Sequence, residues 1–313
     1  MKHVDAVITW VDGSNPDYQK KIKKNLKVGS YNLKKEYLSA NEISLCVGSI
    51  IKNAPFIRKI FIVTDSQIPN LDDISSYIPL NKVQIVDHKE IFRGMEEFLP
   101  TFNIRSIDAL LYRIKGISER FVYFNDDMFI VKKINLEEWF IEDKVVLLGR
   151  WAKSYNTSII KTISHRFFNK FRTRPSYNAA QSMAANIAGF KTKYYKSYHS
   201  GRPQIKSIIK EFYEKEPECL RKQINFKFRS NKQYIPYSLC WHLMIKEKIY
   251  YESSRKKLVE ITKIKDLNPQ KLKRILSRID DEKDVKFLNI QDLNYASNET
   301  KAVFKEWLIK KLL

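Results

Sequence analysis

Residues 121–130 read FVYFNDDMFI. An apolar, aromatic run meets three polar residues, Asn125, Asp126 and Asp127, and turns apolar again. FVYF reads as a buried strand. Two adjacent carboxylates at its end repel each other and lose hydration, so they persist only where something positive sits on them. A divalent cation that also grips a diphosphate meets that need, because magnesium takes one or two carboxylates plus phosphate oxygens and water. An aspartate pair opening a plain turn is the simpler reading. The apolar segments on both sides, FVYF and MFIV, favour the metal.

The flanking sequence shows where such a strand end would lie. VDAVITWV is a compact apolar run closing in Asp-Gly, and RKIFIVTD and KVQIVDH are two more strands. Residues 39–52 read as a helix, with Ser39 and Glu42 at capping-box spacing and Ile43, Val47, Ile50 and Ile51 on one face. Asn103 can cap a helix carrying Ile107, Leu110, Leu111 and Ile114. Alternation of this kind predicts an α/β fold with a mostly parallel sheet and helices on its faces. Ligands then bind at the carboxyl ends of the strands, where Asp12, Asp65, Asp87, His88, Asp126 and Asp127 fall.

Two neighbouring stretches add to that edge. In TWVDGSNP, residues 9–16, Trp10 can stack a base and Asp12 can contact a sugar or take a proton, with Val11 and Gly13 completing a nucleotide-facing loop. A core tryptophan before an Asp-Gly turn explains the same letters. In LPTFNIRSID, residues 99–108, Asn103 and Arg105 fall near a helix start, where backbone N–H groups favour anions and an arginine can clamp phosphate. A capping asparagine beside a surface arginine is the plainer account. His199, Arg229 and His242 lie farther on, and a lone histidine is more often structural than catalytic.

Charge is the outlier in composition. The 313 residues hold 57 Lys and Arg against 35 Asp and Glu, a net +22. No acid occurs from Lys144 to Lys210. Such a surface expects an anionic partner: nucleic acid, a membrane face or a polyanionic substrate. The 43% hydrophobic content allows a sizeable core, and no apolar run reaches the length of a membrane span. Three scattered cysteines, Cys46, Cys219 and Cys240, form neither metal spacing nor a disulfide framework, which suits a cytoplasmic chain. After residue 150 the alternation stops. IIKTISHRFFNKF, residues 159–171, has helical spacing, and a turn-rich basic loop follows it. Residues 203–216, 268–280 and 299–313 read as helices, and the last 65 residues show no clear strand. The expected division is a nucleotide-binding half at 1–150, a basic insertion or lid at 151–198, the rest of the catalytic core at 199–245 and a helical segment at 246–313.

Taken in order, these segments resemble the Stealth family, which includes bacterial capsule polymerases and the animal GlcNAc-1-phosphotransferase. DAVITWVDGSNP resembles its first region. NEISLCVGSIIKNAPFIRKIFIVTDSQ, VDHKEIF, LPTFNIRSID and ISERFVYFNDDMFI resemble its second. HSGRPQIKSIIKEFYEKEPECLRKQINFKFRS with SLCWH is similar to the third, and VKFLNIQDL to a shortened fourth. The chain departs from the family at Ile104, often Ser; at Asp108, often Glu; and at Phe226 and Lys227, often His-Arg. The resemblance implies a GT-A-like nucleotide-binding core. It also implies attack by an acceptor hydroxyl on the β-phosphorus of a UDP-sugar, with UMP leaving and a sugar-1-phosphate transferred.

With that resemblance, the expected roles are Mg²⁺ or Mn²⁺ on Asp126 and Asp127, and Arg105 and Arg229 on the transferring phosphate. His199 is the first candidate for general base and Asp12 the second. Trp10, Val11, Gly13, Asp65, Asn103, Asn125 and His242 are expected to hold the donor. The expected acceptor is an anionic polysaccharide held along the basic zone, with peripheral attachment to the inner membrane face and no nucleic acid. Two other readings stay open: a GT-A glycosyltransferase attacking the anomeric carbon, and a basic nucleic-acid-binding protein.

Overall fold

The computed structural model describes residues 3–26, 40–155 and 176–313. The expected helix at 159–171, the first part of the basic loop after it, and Ser39 lie outside the described residues.

The predicted strands form as read. β1 (Val4–Thr9), β2 (Ile57–Thr64), β3 (Val83–Asp87) and β4 (Arg120–Asn125) lie parallel in the order β4-β1-β2-β3. β1 is buried at all six positions, as an inner strand covered on both faces should be. One of those six is Asp5, fully buried, which Arg58 satisfies through Nε at 2.9 Å and Nη2 at 2.6 Å. The Lys59 and Ser118 N–H groups also donate to it, at 3.2 and 2.7 Å. A buried carboxylate is tolerated when it is bonded this fully.

The helix Glu42–Asn53 covers the sheet with Ile43, Val47 and Ile50 inward, close to the expected span. Asn41 precedes it in the left-handed region without a side-chain cap, and Glu42 itself takes the Ala40 N–H at 2.6 Å. The helix after Asn103 is shorter than expected: Ile104–Asp108, then a single tight turn at Leu111–Arg113. Asn103 caps it, accepting from the Arg105 N–H at 3.1 Å.

The remaining strands are β5 (Met128–Ile130), β6 (Phe140–Ile141), β7 (Lys144–Leu147), β8 (Gly149–Lys153), β9 (Lys193–Ser197), β10 (Arg202–Ile205), β11 (Tyr250–Glu252), β12 (Leu258–Ile261) and β13 (Phe287–Ile290). β10 runs antiparallel to β4 at the edge of the central sheet, so the start of the segment read as helix from 203 is a strand, and the helix is Lys206–Lys215. The expectation of a wholly helical C-terminal segment is corrected. β11 pairs with β7, and β12 pairs with β13, which pairs in turn with β5. Each of these is three or four residues long, too short for periodicity to mark. β11 and β13 find partners more than 100 residues away and β12 pairs with β13 29 residues on, so tertiary pairing decides them. The helices Pro269–Asp281 and Asn298–Leu312 do form, the first capped by Asn268 accepting from the Lys271 N–H at 2.9 Å.

Trp139 links the two halves. It is 2% exposed, meets Phe124 of β4 edge-on at 5.7 Å and stacks on Phe287 of β13 at 6.1 Å. That packing seats β13 beneath the Asp126–Asp127 turn. The Asn289 amide and the Ile290 N–H both donate to the Asp127 carbonyl, at 2.9 and 3.1 Å.

Candidate active site

A cavity of about 220 Å³ opens at the carboxyl ends of the parallel strands. Thr9 at the end of β1 and Trp10 and Val11 after it line it, Val63 comes from the end of β2, and His88 follows β3. Asn125 ends β4, and Asp126 and Asp127 follow it. Arg229 enters from the third sequence region, and Asp292 and Asn294 from the segment after β13.

Asp126 and Asp127 are half-buried in its wall. Burial pushes the Asp126 carboxyl well above its ordinary range, and the nearby Glu42 and Asp127 carboxylates push it further. Burial also raises Asp127, while His199, the Asn289 amide and Arg202 pull it back. Asp127 Oδ1 is buried with no hydrogen-bond partner. These groups repel one another, and one carries an unmet acceptor at the mouth of a cavity. A divalent cation would supply the missing partner. Among the described residues, no group of three or more His, Cys, Asp or Glu side chains converges as a metal cage.

The wall formed by the ends of β1 and β3 holds two more buried, unpartnered nitrogens, Trp10 Nε1 and His88 Nδ1. His88 is 2% exposed and its burial lowers its pKa to about 4, so the imidazole is neutral at pH 7. The sequence marked it only as a polar residue at a strand end.

Arg229 is held by scaffolding that the sequence assigned to phosphate binding. Asn103, fully buried, donates to the carbonyls of Phe226 at 2.9 Å and Phe228 at 3.0 Å and to Gln233 Oε1 at 2.8 Å. Arg105, 4% exposed, donates to the carbonyls of Ser230 at 3.0 Å and Gln233 at 3.3 Å. Neither lines the cavity. Their expected contact with phosphate is replaced by a shaping role: they fold the 226–233 loop so that Arg229 reaches the cavity. Phe102 stacks on Phe228 at 5.3 Å and closes the same loop against the helix Pro16–Asn25 through Tyr18.

His199 stands close enough to Asp127 to stabilise its charge, although it does not line the cavity. Its Nδ1 lies 3.6 Å from Glu260, whose Oε1 also takes the His199 N–H at 3.1 Å. Burial pushes the Glu260 carboxyl up, but the bonds from His199 and the charge of Arg255 outweigh it and hold it below its ordinary value. Tyr177 stacks on the imidazole at 5.1 Å. A histidine oriented by a carboxylate is the arrangement of a general base. Glu260 escaped the sequence reading because its strand, β12, did.

The other expected residues sit elsewhere. Asp12 Oδ1 accepts from the Ser14 N–H at 2.8 Å and hydroxyl at 2.6 Å, the bonding of a turn, and does not line the cavity. Gly13 offers its carbonyl to Gln19 Nε2 at 3.0 Å. Asp65 pairs with Lys21 at 3.0 Å beside His88. His242 is fully buried: its Nε2 accepts from the Tyr195 N–H at 2.8 Å, and Nδ1 lies 2.6 Å from the Ser238 carbonyl. Both ring nitrogens are engaged, so His242 is a structural residue rather than a donor contact. Asp292 and Asn294 were not among the expected site residues: Asp292 falls in the VKFLNIQDL stretch and Asn294 just beyond it.

Comparison with known proteins places this cavity in context. Family models for Stealth protein conserved region 1 and conserved region 2 match residues 2–27 and 36–147. The capsular polysaccharide phosphotransferase cps1A of Actinobacillus pleuropneumoniae is 35% identical over 161 residues, 49% of this chain and 42% of its own length. The receptor polysaccharide phosphotransferase WefC of Streptococcus oralis is 34% identical over 172 residues, 53% of this chain and 48% of its own. The chain thus spans less than half the length of these relatives. Among solved structures, the galactosyltransferase LgtC with donor and acceptor sugar analogues aligns with 98% of this chain and 95% of its own, at 8% identity and a TM-score of 0.40. The bifunctional glycosyltransferase WbbM aligns with 99% of this chain and 50% of its own, at 13% identity and a TM-score of 0.43. Through residues 2–27 and 36–147, which supply the Asp126–Asp127 turn, the chain is similar to Stealth proteins in their conserved regions 1 and 2.

Proposed function

We propose that this chain is a sugar-1-phosphate transferase built on a GT-A-like core. It moves hexose- or N-acetylhexosamine-1-phosphate from a UDP-sugar to a glycan hydroxyl in capsule or cell-surface polysaccharide synthesis. The observation that carries this is the adjacent pair Asp126 and Asp127, one oxygen of it unmet, in the same cavity as Arg229. Relatives named as capsular and receptor polysaccharide phosphotransferases support it.

The acceptor oxygen bonds to the β-phosphorus, and the bond from that phosphorus to the bridging oxygen breaks. The electron pair leaves with UMP, and the acceptor proton passes to His199, oriented by Glu260. Arg229 holds the transferring phosphate bidentately. Trp10 and Val11 line the nucleotide side. Asp126 and Asp127 would hold Mg²⁺ or Mn²⁺, which when bound neutralises the diphosphate and the leaving group. Phosphoryl transfer needs little else, since it depends mainly on positioning and charge.

The net charge of +22 fits a polyanionic acceptor held along the basic zone and peripheral attachment at the anionic inner membrane face. Among the described residues, no helix is long and apolar enough to cross a membrane. The test is incubation with a panel of UDP-sugars, a glycan acceptor and Mg²⁺, scoring UMP against UDP. Release of UMP with a phosphorus–carbon coupling at the anomeric carbon supports transfer at phosphorus. Release of UDP would replace it with attack at C1.

A further inference from the structure

Arg202 raises a question that the transfer chemistry leaves unanswered. It is 2% exposed, and among the described residues it makes no salt bridge, though removing a guanidinium from water is costly. Its charge rests on aromatic faces, 4.3 Å from the centre of Tyr237 and 5.4 Å from that of Tyr123. Its Nε is buried without a partner. Its one side-chain hydrogen bond shown runs from Nη1 to Asn125 Oδ1, at 2.8 Å.

The backbone is arranged to make that bond. Arg202 pairs with Tyr123 across the β10–β4 ladder, and Asn125, two residues on, shares the face. Gly201 lets β10 lie this close: a Cβ there would stand 2.8 Å from the Phe124 ring and 3.0 Å from Val122. A guanidinium has only donors, so the Asn125 amide must present its oxygen to it. The amide nitrogen is thereby turned the other way. No described residue accepts from Nδ2, and Asn125 lines the cavity.

We infer that Arg202 is a positioning residue: it grips Asn125 by its oxygen and fixes the Asn125 N–H₂ as a donor to the phosphate oxygens of the nucleotide. This rests on the sugar-phosphate reading for the identity of the ligand, and on the geometry alone for the orientation of Asn125. The guanidinium touches no substrate. It acts through one side chain and adds positive potential behind Asp127.

The test is calorimetric binding of UDP with Mg²⁺ to the full chain, in Arg202→Met, Arg202→Gln, Asn125→Ala and the Arg202→Met/Asn125→Ala pair. Each of Arg202→Met and Asn125→Ala is expected to weaken UDP about tenfold, and the pair to lose no more than either alone. Arg202→Gln keeps an N–H for Asn125 Oδ1 and recovers at least threefold over Arg202→Met. Losses that multiply to about a hundredfold in the pair overturn the inference, as does wild-type affinity in Arg202→Met. Crystal structures of the Gln and Met variants read the orientation without UDP. Asn125 should keep its pose in the first and leave it in the second, and an unmoved Asn125 in the Met variant overturns the inference. Should Arg202→Met not fold, Arg202→Gln and Arg202→Lys give the same comparison, with Lys expected to lose the Asn125 pose that Gln keeps. Failure of the wild type itself to bind UDP would count against the transferase reading, not against the Arg202–Asn125 link.

Discussion

Replacing Asp108 with asparagine should stabilise the protein, and by an amount that depends on pH. Asp108 sits behind the cavity wall, with one carboxyl oxygen buried and unpartnered. Burial raises its pKa from 3.8 to about 7, although Tyr123, Arg202, Arg229 and Arg105 all act to lower it. In the unfolded chain it titrates near its ordinary value. The folded pKa is the higher, so the folded state binds this proton more tightly, and its contribution to stability is greatest below pH 4. The contribution falls as pH rises and is gone above pH 7. Each pH unit between those limits is worth about 1.4 kcal/mol, so the ionised carboxylate costs the fold at most about 4 kcal/mol at pH 8. Asparagine carries no such penalty. Asp108→Asn should therefore exceed wild type by about 1 kcal/mol at pH 4.5 and by up to about 4 kcal/mol at pH 8. For a chain of this size, the difference between the two pH values is a melting-temperature change of roughly 6 °C. Urea and thermal unfolding of both proteins at pH 4.5, 6 and 8 measure it. A stability difference that stays constant with pH would refute the reasoning, because it would mean that Asp108 titrates alike in the folded and unfolded chains.

Asp127→Asn removes charge from a crowded pair. It should raise the melting temperature of the metal-free protein at pH 7 and abolish Mn²⁺ binding by electron paramagnetic resonance; unchanged binding would move the metal elsewhere. His199→Gln should lower kcat by roughly 10²–10⁴ with UDP affinity unchanged. Glu260→Gln should lower it less, since it only orients the ring. Equal loss of UDP affinity in either would place them in the donor site. Gly201→Ala forces a Cβ onto Phe124 and Val122 and should destabilise the fold by about 1–3 kcal/mol in urea unfolding. Asn103→Ala should weaken UDP binding by displacing Arg229, and its crystal structure should show the 226–233 loop rearranged.

The sequence revealed the parts of this molecule whose causes are local. β1 to β4 are inner parallel strands, so their apolar runs are continuous, and the polar residues that break them at the carboxyl end stand out. Asp126, Asp127, Trp10 and Asn125 were legible for that reason. Short strands such as β12 and β13 carry no such signature, because four residues exist as strand only where a distant partner completes them. With them went Glu260, Asp292 and the anchoring of the Asp127 carbonyl by Asn289. Asn103 and Arg105 show the opposite error. A polar residue at a helix start suits anion binding and loop scaffolding equally well, and burial, which sequence does not give, chooses between them.

That distinction bears on how the site holds its charge. The two aspartates are set by a strand end, a local feature. The positive groups facing them come from residues 202 and 229, brought in by an antiparallel edge strand and by a loop folded over Asn103 and Arg105. The carboxylates are thus written in one contiguous stretch, and their compensation is assembled from another that finds them only on folding. A chain lacking the 199–233 segment would keep the repulsion and lose what relieves it. The first two conserved regions alone therefore specify a site without the means to use it.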